Sequence, residues 1–204
     1  MPTSRWPGSL LDIACGTGAH LTRFREAFPR VAGVEISDAM RRIAAGKLPG
    51  VPIHVADMRD FDLGERFDVI TCLCFSIAYT RGEDELGRVA ASIARHLNPG
   101  GVVVVEPWWF PERFLDGFVT GSVVEDDGRV VSRVSHSVRD GRTTRMTVRF
   151  TIADRSGIRE FTEQEVLSLF TEAEYASAFA HAGLRVEHLA GPPNGRGLFV
   201  GVRD

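Results

Sequence analysis

The sequence is short of cysteine, of excess positive charge and of long hydrophobic runs, and each shortage excludes something. Its three cysteines, Cys15, Cys72 and Cys74, stand in apolar, strand-like stretches. None has the spacing of a zinc site or of a secreted disulfide framework, so reduced, buried thiols and no metal are expected. Lys and Arg number 24 against 27 Asp and Glu, a formal net charge of −3. Such a chain has no long-range attraction for nucleic acid or an anionic membrane, and any anion site must be local. No apolar run approaches the roughly 20 residues of a membrane helix. Residues 1–8 hold one arginine and no apolar core follows them, which excludes a signal peptide and points to a cytoplasmic protein.

One more absence bears on function. The first glycine turn, Gly16-Thr17-Gly18, has two glycines where a dinucleotide-binding fingerprint has three. What surrounds it is informative. Residues 9–14 read as an apolar strand too hydrophobic for a sheet edge, and residues 19–27 as a helix stopped by Pro29. Residues 31–36 form a second strand carrying Glu35 at its end. Strand, glycine turn, helix, strand and acid make the nucleotide-gripping half of a doubly wound sheet. At 204 residues a single domain, residues 1–204, is expected, with enough chain to bury a core.

The α/β rhythm continues. Ser37 reads as an N-cap for a helix over residues 38–45. Residues 53–55 form a short strand with Ala56, Asp57 and Met58 beyond it. Residues 67–75 are a nearly continuous apolar run, as a central parallel strand requires, and would set Cys72 and Cys74 on one strand face. Residues 83–97 repeat apolar side chains at helical spacing. Residues 102–105 form the next strand, and Glu106 to Pro111 leave its end. From residue 118 to 152 the pattern alternates, with turn signals at Asp127-Gly128 and Asp140-Gly141. This predicts an antiparallel β insertion over residues 117–153 that roofs the main sheet or makes a subunit contact. Thr162 and Glu165 read as a capping box opening a helix with Val166, Leu169 and Phe170 on its apolar face. A second helix over residues 172–182 ends at Gly183. Residues 184–189 and 198–202 are the last strands, joined by a short loop over residues 191–195, which forces them antiparallel.

Three consecutive strand ends thus line one crevice. Asp12 and the glycine turn leave the first strand. Glu35, an acid suited to two ribose hydroxyls, leaves the second. Asp57 and Met58, suited to an adenine amine and ring face, leave the third.

This pattern resembles the class I S-adenosylmethionine-dependent methyltransferases, in which LDIACGTG at residues 11–18 matches the glycine-rich motif. Glu35, Asp57, the Pro99-Gly100-Gly101 stop and the terminal hairpin carry the match further. Downstream of residue 9 the chain is similar to the enzymes that dimethylate the amino group of dTDP-activated amino sugars. The stretches GVVVVEPWWFP at 101–111, RVSHSVR at 133–139 and GRGLFVG at 195–201 carry that likeness. The resemblance implies a Rossmann-like, mostly parallel sheet with an antiparallel last strand, and a homodimer adding two methyl groups in turn to antibiotic sugars such as desosamine or mycaminose. It places S-adenosylmethionine on Asp12, Ala14, Gly16, Gly18, Glu35, Ile36, Ala56, Asp57, Met58 and Leu73. Family members carry cover helices before the motif, which are expected to be absent here. Relatives have a histidine where this chain has Tyr79.

The substrate-side candidates follow from it. Tyr79 is the first choice for positioning the amine, against a packing tyrosine. Glu106 contacts sugar or amine, against a loop-bonding carboxylate. His136 joins them as a catalytic candidate, against a strand histidine. Trp108, Trp109 and Phe110 could stack on sugar or thymine, with at least one in the core. Arg145 and Arg149 suit a diphosphate, against solvated side chains, and Arg196 is placed to reach the nucleotide sugar. A methyltransferase for another small amine or hydroxyl, and a non-catalytic binding partner, are the alternatives.

Overall fold

The computed structural model describes residues 7–191 and 195–204. The chain divides into two compact units, one running to Trp108 and resuming as Thr171–Asp204, the other Trp109–Phe170.

The first unit is an α/β sheet. Its strands are β1 (Ser9–Ile13), β2 (Arg30–Glu35), β3 (Ile53–Val55), β4 (Phe67–Cys72), β5 (Leu97–Val105), β10 (Leu184–Leu189) and β11 (Leu198–Arg203), in spatial order β10-β11-β5-β4-β1-β2-β3. β1 is parallel to both β2 and β4, β5 is parallel to β4, and β11 is antiparallel to β5 and to β10. The antiparallel final strand and the mostly parallel sheet are as the sequence predicts. The apolar runs of β1, β4 and β5 bury Leu10, Leu11, Ile13, Phe67, Ile70, Val103 and Val105, because strands covered by helices on both faces need no polar side. The helices are α1 (Ala19–Ala27), α2 (Asp38–Lys47), α3 (Gly82–His96) and α4 (Glu172–His181). α3 turns Leu86, Val89, Ala90 and Ile93 inward at helical spacing. The Ser37 hydroxyl accepts from the Met40 N–H and caps α2, as expected. β1 leads to β2 and β3 on one side, and β4 and β5 lie on the other. The order reverses between β1 and β4, and the crevice outside that reversal is where open α/β sheets bind ligands.

The second unit is a four-stranded antiparallel sheet of β6 (Phe118–Asp126), β7 (Arg129–Asp140), β8 (Thr143–Asp154) and β9 (Gly157–Ser168), in chain order. Asp127 and Gly128 both take left-handed φ, 43° and 71°, the conformation a two-residue hairpin turn demands. Thr144, Met146 and Val148 alternate inward along β8, and Phe150 stacks on Phe161 of β9 at 5.0 Å.

Two expectations fail here. Residues 162–168 are strand, not helix: Thr162 pairs with Arg149 and Val166 with Arg145 in a ladder along the whole of β8. The same Thr-x-x-Glu spelling recurs at Thr171 and Glu174, and there the capping box forms. The Thr171 N–H donates to the Glu174 carboxylate at 2.8 Å, and the Glu174 N–H to the Thr171 hydroxyl at 3.2 Å. A twelve-residue pairing partner overrides a local cap signal. β4 also stops at Cys72, because Cys74 and Phe75 both adopt φ 51°. Cys74 is therefore exposed, off the strand that buries Cys72, although all three thiols are free as expected.

Candidate active site

The turn after β1 is built from left-handed residues: Ala14 at φ 55°, Gly16 at 56° and Gly18 at 79°. Each costs an L-residue with a Cβ roughly 1–2 kcal/mol, so glycine is favoured and Ala14 is strained. A Cβ on Gly18 would lie 2.8 Å from Leu48 Cδ1 and 3.2 Å from Ala44 Cβ, so α2 packs directly against the turn. Gly16 has open space where its Cβ would stand, with nothing beyond its chain neighbours within 4 Å.

Glu35 holds the turn. It is 5% exposed at the end of β2. One carboxylate oxygen accepts from the Gly16 N–H at 2.8 Å and the other from the Ser37 N–H at 2.8 Å. The Ala56 N–H donates to its carbonyl at 3.2 Å, so the exits of β1, β2 and β3 meet at one residue. A carboxylate has about four acceptor sites, so Glu35 keeps capacity for hydroxyl donors.

Asp12 is 1% exposed within β1. Its Oδ1 accepts from the Thr71 hydroxyl at 2.6 Å, while Oδ2 is buried with no hydrogen-bond partner. Burial pushes its pKa up from 3.8 to about 6, opposed by the Thr71 hydrogen bond and by His20. Sequence reasoning missed Thr71; its signal was a hydroxyl inside the apolar run of β4. Burial among Asp12 and Glu35 also pushes the Cys15 thiol up to about 12, which keeps it protonated and inert.

At the β3 exit, Asp57 is gripped by Arg59, whose Nε and Nη2 reach Oδ2 at 3.0 and 2.5 Å. Arg59 Nη1 then reaches Glu85 of α3 at 2.9 Å. The Arg59 hydrogen bonds hold the Asp57 carboxyl below the usual carboxylate range. Arg59 is a second residue the motif reading missed. Met58 and Leu73 are half-buried and Ile36 is exposed, which leaves apolar surface between the acids.

Beyond β4, residues 74 and 75 lead into a 3-10 turn, Ser76–Tyr79, whose Ile77 and Ala78 are buried and whose Tyr79 is 46% exposed. Glu106, at the end of β5, accepts from the Cys74 N–H at 2.8 Å and from Arg196 Nη2 at 2.5 Å. Trp108 is buried and packs against Phe75, centroids 4.7 Å apart. Arg196 is thus held by Glu106.

Every predicted cofactor residue lies at the carboxyl ends of β1 to β4, and Tyr79, Glu106, Trp108 and Arg196 belong to the same unit. Trp109, Phe110, His136, Arg145 and Arg149 belong to the other. There Phe110 is buried and His136 is exposed on β7 between Val119 and Thr147. Arg145 pairs with Asp140 at 2.8 Å and Arg149 with Glu160 at 2.7 Å, both on the surface. Among the described residues no cluster of three or more His, Cys, Asp or Glu side chains could hold a metal.

The donor set, acids with no free arginine among the described residues at the first three strand ends, suits a nucleoside with hydroxyl and amine donors. Three carboxylates, one with an orphaned buried oxygen, stand at the carboxyl ends of three neighbouring strands. The family model for a methyltransferase domain matches residues 10–101. The chain is 65% identical to the dTDP-4-amino-2,3,4,6-tetradeoxy-D-glucose N,N-dimethyltransferase of Saccharopolyspora spinosa, over 96% of this chain and 79% of that protein. The chain belongs to the dTDP-aminosugar N,N-dimethyltransferases. These are S-adenosylmethionine-dependent methyltransferases. A second dimethyltransferase, named for dTDP-3-amino-3,4,6-trideoxy-alpha-D-glucopyranose and from Streptomyces venezuelae, is 54% identical over 98% of this chain and 85% of its own length. The solved structure of a SAM-bound amino pentose methyltransferase from Micromonospora echinaspora has a TM-score of 0.90 and 49% identity, covering 97% of this chain and 84% of that one.

Proposed function

We propose that this dimethyltransferase transfers methyl groups from S-adenosylmethionine to the amino nitrogen of a dTDP-linked deoxyaminosugar, giving the dimethylamino sugar. The observation that carries the reading is the 65% identity across nearly the whole chain. That relative is named for a 4-amino sugar and the 54% identical one for a 3-amino sugar, so the 4-amino compound is the favoured substrate.

S-adenosylmethionine held here would supply a sulfonium methyl to a neutral amine lone pair, leaving as S-adenosylhomocysteine, and the ammonium formed would release its proton to water before the second transfer. The chain's task is then to hold and align. Glu35 takes the ribose hydroxyls on its remaining acceptor sites, and Asp57, fixed by Arg59, takes the adenine amine. The orphaned Oδ2 of Asp12 suits an ammonium donor. Tyr79 positions the sugar amine with one phenolic hydrogen bond, in place of a general base that this chemistry needs little. Such orientation is worth about 7–11 kcal/mol of barrier.

The same reading makes the protein a cytoplasmic homodimer serving antibiotic biosynthesis, as the Micromonospora enzyme serves calicheamicin biosynthesis. No helix among the described residues is long and apolar enough to cross a membrane. Incubation with S-adenosylmethionine and a panel of dTDP-3-amino and dTDP-4-amino sugars, read by product mass, tests the activity. Two added methyl groups with faster 4-amino turnover are expected. No methylation of any member refutes it. Light scattering at twice the mass of the 22.4 kDa chain is the expected result for the dimer.

A further inference from the structure

Glu106 and Arg196 stand 90 positions apart in sequence and meet beside the catalytic crevice. Their side chains are 14% and 12% exposed. Each makes more than the ion pair. The Glu106 N–H donates to the Cys72 carbonyl at 2.9 Å, and its Oε2 accepts from the Cys74 N–H at 2.8 Å. Arg196 Nε donates to the Pro107 carbonyl at 3.1 Å. Its guanidinium lies over the rings of Phe75 and Trp108, 5.2 and 5.3 Å from their centroids. The pair therefore joins the exits of β4 and β5 to the segment entering β11.

The β4 exit is the one that needs holding. Cys74 and Phe75 are non-glycine residues side by side in left-handed backbone, a conformation that persists only where surroundings enforce it. Glu106 bonds the first of them, and Arg196 covers the ring of the second. The 3-10 turn carrying Tyr79 follows directly.

Building on the proposed methyl transfer, we infer that the Glu106–Arg196 pair is a positioning device that fixes residues 74–79 and so aims Tyr79. Glu106 is accordingly a positioning residue. One of its oxygens is tied to backbone and the other to a guanidinium whose planar fork and ring contacts a lysine cannot reproduce.

The test uses the whole enzyme. Glu106→Gln keeps an oxygen for the Cys74 N–H and removes the charge facing Arg196. A positioning role predicts a fall in kcat of up to about 100-fold, the cost of misplacing a reacting group by about an ångström. The acid limb of the pH profile stays where it is in the wild type. S-adenosylhomocysteine affinity, which also reports that each variant is folded, stays near wild type. Arg196→Lys falls as far as Arg196→Ala, and the double variant of Glu106→Gln with Arg196→Ala loses no more than the worse single one, because the residues act as one unit. Disappearance of the acid limb in Glu106→Gln, rescue by Arg196→Lys, or losses that multiply in the double variant overturn the inference. If the wild type methylates no aminosugar, the proposed activity has failed separately. The pair is then read from near-UV circular dichroism, where both single variants must alter the aromatic signal of Phe75 and Trp108. An unchanged spectrum overturns the pair without any turnover measurement.

Discussion

In the α/β unit, Glu35 is buried and receives two backbone N–H groups, Asp12 is buried with one oxygen satisfied, and Glu106 is closed over by Arg196. In the antiparallel unit, Arg145 and Arg149 pair with Asp140 and Glu160 across open surface. Both units are rich in charge, but Asp12, Glu35 and Glu106 are taken out of water, where each group needs a partner and shapes the backbone around it, whereas Arg145 and Arg149 stay at the surface. The partners come from other elements: Thr71 lies 59 residues from Asp12, and Gly16 lies 19 from Glu35. Arg145 and Arg149 have solvent as an alternative, and their ion pairs contribute little. A charge matters to this fold according to what it would lose on exposure, and that separates the crevice from the β insertion.

The contrast can be broken first at the glycine turn. Gly18→Val combines a left-handed φ of 79° with contacts at 2.8 and 3.2 Å to Leu48 and Ala44. A loss of about 2–5 kcal/mol in unfolding free energy is expected, measured by urea titration.

Next comes the pH dependence that a buried acid imposes. The folded pKa of Asp12 is about 6 against an ordinary 3.8, so between these values the native state holds a proton that the unfolded chain has released. Stability therefore falls as pH rises through this window and levels off above it, by on the order of 3 kcal/mol for this group. Asp12→Asn should flatten that part of the stability-versus-pH curve; an unchanged slope would assign it to other groups.

A smaller effect is expected from Thr71→Val, which leaves Asp12 Oδ1 without its donor. It should cost about 1–3 kcal/mol. It should also move the Asp12 transition to higher pH, because the Thr71 hydrogen bond now opposes the effect of burial. Carbon-detected NMR titration of the carboxyl follows this directly.

The smallest belongs to the other unit. Arg149→Ala removes an ion pair whose members are both more than half exposed, and thermal melting should register less than about 1 kcal/mol. A loss comparable to that of Thr71→Val would erase the distinction between the two regions.

The same contrast explains what could be read from sequence. β1, its turn, β4 and α3 were legible because continuous apolar runs and helical spacing are local properties. Glu35 and Asp57 were legible because a strand's end can be counted from its start. β9 was not: Thr-x-x-Glu followed by spaced apolar residues fits a helix, and only the pairing of Gly157–Ser168 with β8 decides otherwise. Thr71, Arg59 and the Glu106–Arg196 pair were also hidden, because each acts through a partner that the fold brings from elsewhere. Cys74 was misplaced for a related reason. The apolar run continues past Cys72, but the left-handed backbone at residues 74 and 75 ends the strand.

The central claim is that Glu35 holds together the seat of the methyl donor, and calorimetric titration of S-adenosylhomocysteine into the wild type and Glu35→Ala tests it most directly. The variant strands the Gly16 and Ser37 N–H groups and, in the proposed function, removes the ribose acceptor. The predicted loss is about 3 kcal/mol of binding free energy, on the order of 100-fold in Kd. Wild-type affinity in a folded Glu35→Ala variant would contradict the account.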